Sequence, residues 1–89
     1  MAVFAVVAIG DTVKMGGSIT QKLPPQDYHK VDNSTWFVSA PANLVTPKEV
    51  CDFLGITNGL CGWAIVTSIT TYYGFHSKNT WDWLTAKGV

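Results

Sequence analysis

The chain has 89 residues, enough for one domain spanning 1–89 and too few for two. Hydrophobic residues make up 47%, but only 13% are charged, against about 25% in a typical globular chain, so some apolar surface is expected to need cover from a partner or a second copy. Six lysines balance six carboxylates and arginine is absent; scattered Lys14, Lys22, Lys30, Lys48, Lys78 and Lys87 do not supply the basic face a nucleic-acid binder requires, and no nucleic-acid partner is expected.

Val3 to Ile9 is β-branched and apolar without alternation, the pattern of a central strand buried on both faces. The segment lacks a basic start and meets Asp11 at once, unlike a secretory signal. No apolar run reaches the roughly 18 residues of a membrane span, so a cytoplasmic, membrane-free protein is expected. Met15-Gly16-Gly17 reads as a flexible turn. Ser18 and Gln21 then form a capping box for a helix of two turns at most, stopped by Pro24-Pro25, with Ile19 and Leu23 facing the core.

Tyr28 to Val31 reads as a brief strand, Asp32-Asn33-Ser34 as a turn and Thr35 to Ala40 as a second strand of the same hairpin. The Asn33-Ser34-Thr35 sequon is a chance match without a secretory signal. Thr46-Pro47-Lys48-Glu49 combines an N-cap, a first-turn proline and a returning carboxylate, and predicts a helix from Pro47 to Leu54 closed by Gly55. Val45 is placed to staple against Val50. Trp63 to Ile69 reads as the last strand, and Asn79 or Thr80 as the cap of a final short helix ending at Gly88.

This order fits an α+β fold: a ferredoxin-like βαββαβ sandwich with a C-terminal helix. The first and last strands are taken as central, with one strand between them. Without the short second strand, the alternative is a small three-stranded βαβαβ layer.

No catalytic signature emerges. Asp11 lies just past the end of a buried strand, where carboxylates are held rigidly yet exposed, although Gly-Asp is also ordinary turn chemistry. The Gly-rich turn before Ser18 lacks the spacings of phosphate-binding loops. Tyr72 to Lys78 is chemically mixed: Tyr72, Tyr73 and His76 are candidate ligand-binding residues, and His76 is a candidate acid or base. A nucleophile such as Cys51 or Ser39 would need His29 or His76 beside it. Cys51 and Cys61, ten residues apart, match no zinc spacing and read as buried free thiols, so no metal or cofactor is expected.

In the last helix, about 100° per residue turns Trp83 away from Trp81 and Leu84, which makes Trp83 the candidate interface residue. The reading that follows is a small non-enzymatic protein-interaction module, homodimeric or bound to another protein. The alternative is a small enzyme or ligand-binding protein with a site near Asp11 and Tyr72–Lys78.

Overall fold

The computed structural model describes residues 2–88 and contains four strands and three α-helices. Strands β1 (Val3–Ala8), β2 (Tyr28–Lys30), β3 (Thr35–Ser39) and β4 (Ala64–Ser68) form one antiparallel sheet in the order β2-β3-β1-β4. Helices α1 (Thr12–Lys22), α2 (Pro47–Leu54) and α3 (Lys78–Ala86) cover it, and a short 3-10 turn, Pro25–Asp27, leads into β2. Among the described residues no helix is long and apolar enough to cross a membrane.

The β1 pleat sends Phe4, Val6 and Ala8 to one face, where they join Trp36 and Val38 of β3 in the main core. Met15 and Ile19 of α1 and Val50 and Leu54 of α2, each pair one helical turn apart, close this core from above. The opposite pleat, with Val3, Phe37 and Ser39, faces α3. Helices therefore lie on both faces of the sheet.

Two expectations for the strands are corrected. β1 is central, but β4 is an edge and pairs directly with β1, with no strand between them. The β-branched run around Val66 is half-exposed rather than doubly buried, with Ile65 55% exposed. β-branching reports fit to a pleated surface, not the number of neighbours, so it cannot separate edge from centre.

The turn expected at Met15-Gly16-Gly17 is instead the interior of α1. The helix starts about two turns earlier than the Ser18 box implies, with Asp11 as N-cap accepting from the Lys14 amide (3.0 Å). Gly16 is used for proximity: a Cβ there would stand 3.3 Å from Trp36 Cζ2, so the bare backbone lets the indole lie against the helix. Ser18, freed from capping, donates to the Leu54 carbonyl, and Lys22 Nζ donates to the Phe53 carbonyl (2.8 Å). α1 thus satisfies two of the carbonyls left open at the end of α2.

The α2 boundaries agree with the sequence reading. Thr46 Oγ1 accepts from the Glu49 amide (3.2 Å), and Glu49 Oε1 accepts from the amides of Val45 and Thr46 (3.1 Å each). These bonds hold the Glu49 carboxyl below its usual range, that from Val45 most strongly. Gly55 closes the helix at φ 80°. The staple is weak, because Val45 stays 64% exposed above buried Val50.

Candidate functional site

The proposed cluster of Asp11 with Tyr72–Lys78 divides along the sheet. Asp11 follows the end of β1 that meets the start of β4 (Ala8 opposite Ala64), whereas Tyr72 lies beyond the far end of β4, where Ile69 donates to Val3. Asp11 spends Oδ1 on capping α1. Its position is sharply defined by Gly10 and Gly62, where a Cβ on either would fall 3.0 Å from backbone nitrogen of the other segment.

Tyr72 and Tyr73 line one hollow. Tyr72 stacks on Trp81 (centroids 5.7 Å apart, planes 11° apart), and both line an open hollow of about 280 Å³ with Tyr73 and Gly74. The hollow falls just under the roughly 300–1,000 Å³ of small-molecule pockets. Tyr73 and Phe75 are fully exposed.

His76 turns to a different cluster. Thr80 Oγ1 lies 2.9 Å from His76 Nδ1 and 2.9 Å from His29 Nε2 on β2, with Ser77 Oγ 3.3 Å away. Thr80 is 2% exposed, so this buried hydroxyl joins half-buried His29 on the sheet to exposed His76 in the loop before α3. Burial first, and the neighbouring His76 second, lower the His29 pKa. The expected cap position was wrong here: Ser77 precedes the helix, and Thr80 lies within it.

That shift changes the reading of the two tryptophans. The stripe of α3 facing the sheet is Thr80 and Leu84, one turn apart, and Trp81 and Trp83 flank it on either side. Trp83 is half-buried: it lies 6.4 Å from the Phe37 ring and 5.9 Å from that of His29, donates Nε1–H to the Gln26 carbonyl (3.2 Å) and carries the Lys87 ammonium 5.7 Å above it. The cover that its helical position demands comes from within the chain.

Among the described residues, neither of the nucleophiles the sequence offered, Cys51 and Ser39, is hydrogen-bonded to His29 or His76. Ser39 is fully buried, and its hydroxyl has no hydrogen-bond partner. Both cysteines are free; burial, and then the adjacent Asp52 charge, push the Cys51 thiol up, away from the reactive thiolate. Among the described residues no three metal-ligating side chains converge.

The least satisfied surface is the β4 edge. The Trp63 carbonyl accepts from Ile9 (2.7 Å) and the Ile69 amide donates to Val3 (2.8 Å), so odd positions bond β1 and the backbone of Ala64, Val66 and Ser68 points outward. Trp63 is 81% exposed and Ile65 55%, both on the face opposite the main core, and Ile9 beside Trp63 is 57% exposed. From Leu60 to Ser77 there is no lysine, carboxylate or proline. Protein-family models, curated proteins and solved structures yield no match to this chain.

Reading the sequence did not join His29 and Thr80 to His76, and it missed the Trp63–Ile65 surface. The two histidines are 47 positions apart, from residue numbers 29 and 76, and only the sheet order joins them. Trp63 and Ile65 carried a usable signal in the 18 uncharged residues from 60 to 77, but they were placed in a central strand, where an edge is not looked for.

Proposed function

We propose that this protein is a non-enzymatic interaction module that self-associates through the β4 edge. The proposed fold assignment beneath this reading is a ferredoxin-like sandwich with α3 added to its second face, for which the order β2-β3-β1-β4 is the support. The observation that carries the function is the unprotected edge. Natural edge strands are blunted by charge, proline, bulges or a covering element; β4 has no charged residue or proline, and exposed Ile65 within it and Trp63 just before it offer two large apolar side chains.

The occupant is a second copy. Antiparallel pairing about a two-fold axis at Val66 sets Ala64 opposite Ser68 of the second copy, so every outward backbone group finds its complement. The same register places Trp63 opposite Ile69 and Ile65 opposite Thr67 of the second copy, covering the exposed side chains. This reading places the contact on Trp63 and Ile65 instead of Trp83, whose indole is already engaged.

Sedimentation at about 100 μM, well above a micromolar dissociation constant, tests it. Wild type should sediment as a dimer, and Trp63→Lys and Ile65→Lys as folded monomers, because both sites are exposed and lysine is a natural edge protector. A monomeric wild type, or lysine variants that remain dimeric, rejects the edge as the interface.

A further inference from the structure

The two faces of the sheet are covered in different ways. On one, α1 and α2 bury a continuous apolar core. On the other, the contact beneath α3 holds Leu84, Val3, Phe37 and Trp83 but mixes with them three polar groups: Thr80, His29 and the unpartnered Ser39 hydroxyl. A buried hydroxyl without a partner disfavours the closed arrangement and regains water when the cover lifts. α3 thus lies outside the main core and over a face that carries this cost.

From the His29–Thr80–His76 bridge, we propose that α3 is a proton-released cap, docked on the sheet when both imidazoles are neutral and loosened when they become charged. With both neutral, one ring nitrogen donates to Thr80 Oγ1 and the other accepts its proton, so all three groups are matched. Protonation removes the acceptor. Thr80 then receives two donors and must turn its own proton to Ser77 Oγ, at a longer 3.3 Å. A second proton sets two cations on opposite sides of one buried oxygen.

Among the described residues, none that faces the bridge offsets that charge. From α3, Lys87 sits over Trp83 and is paired with Asp27 of the 3-10 turn (2.7 Å), while Lys78 is paired with Asp82 (2.8 Å) on the exposed side. β3 presents Phe37 and Ser39, and β1 presents Val3 and Ala5, all uncharged; Lys30, next along β2, alternates to the opposite face. The lowered pKa of His29 agrees with this geometry and fixes the sign. A histidine harder to protonate when docked supports docking fully above its ordinary value of about 6.5, and that support declines as pH falls from there toward the docked value.

Amide hydrogen exchange in the full chain, corrected for intrinsic rates, tests the proposal at about pH 7.5 and about pH 5.5, either side of the histidine range. The expected result is that α3 amides, Thr80 to Ala86, lose protection relative to β1 and β3 at the lower pH. The indole N–H signal of Trp83, bonded to Gln26 when docked, should move with them. The double variant His29→Gln/His76→Gln should show the same α3 protection at both pH values. Equal wild-type protection at the two values would overturn the proposal, as would joint opening of helix and sheet. So would a pH dependence that survives in the double variant. The wild-type measurement stands without the variants, and it tests α3 independently of association at β4, since a monomer carries the same bridge.

Discussion

Replacing glycine by alanine should have opposite effects at two positions of this chain, and the geometry gives both signs. Gly62 has φ 73°, and a Cβ there would stand 3.0 Å from the Asp11 nitrogen and 3.5 Å from the Gly10 Cα. The left-handed conformation costs an L-residue roughly 1–2 kcal/mol. The clash is with backbone at the cap of α1, so no side-chain rotation relieves it, and overpacking adds about 1–3 kcal/mol. Reduced unfolded-state freedom returns only about 0.4–1 kcal/mol. Gly62→Ala should therefore destabilise by about 2–3 kcal/mol, a large part of the roughly 4–13 kcal/mol available to a chain of this size. Gly17 lies inside α1 with nothing within 4 Å of an added Cβ. Gly17→Ala should stabilise by about 0.5–1 kcal/mol. With a urea slope near 1 kcal/mol/M, the midpoint should fall by about 2–3 M in the first variant and rise by about 0.5–1 M in the second. An unchanged Gly62→Ala midpoint, or a destabilised Gly17→Ala protein, would refute the reasoning about both segments.

Thr46→Ala should lower stability by about 1 kcal/mol and Glu49→Ala by less, with the double variant losing less than their sum because the box is reciprocal; additive losses in denaturant titrations would contradict the coupling. Cys61, buried, and Cys51, with its raised thiol pKa, should react slowly with a thiol reagent until the chain is unfolded; rapid modification of the native protein would show that one of them is accessible. Leu84→Ala should weaken α3 docking while leaving β1 and β3 protected, since Leu84 lies outside the main core; exchange that spreads into the sheet would show that α3 is integral to it.

Local chemistry made part of this fold readable. Thr46, Pro47, Glu49 and Gly55 each act within their own helix, and α2 has the expected ends. Thr35 to Ser39 forms the second strand of its hairpin as expected. Where a residue's role depends on distant chain, the reading failed. Gly16-Gly17 looked like a break because glycine is a poor helix former, yet Gly16 is required by an indole twenty residues away. Ser18 looked like a cap, but its partner is the Leu54 carbonyl. Thr80 was taken for a cap although it is a buried bridge between histidines on two elements. For the candidate site, Tyr72 and Tyr73 come together as a pair, His76 joins His29, and Asp11 stands at the other end of β4; spacing along the chain carries no information about that separation.

The most direct test of association through β4 is the concentration dependence of its outward amides. Among the described residues, the outward amides of Ala64, Val66 and Ser68 meet no partner strand, whereas Ile65 and Thr67 face β1. Hydrogen exchange between about 1 μM and about 500 μM, spanning micromolar affinity, would separate the two sets. Edge pairing predicts that Ala64, Val66 and Ser68 slow together as concentration rises, while Ile65 and Thr67 change far less. Outward amides that exchange equally fast at both concentrations would contradict it.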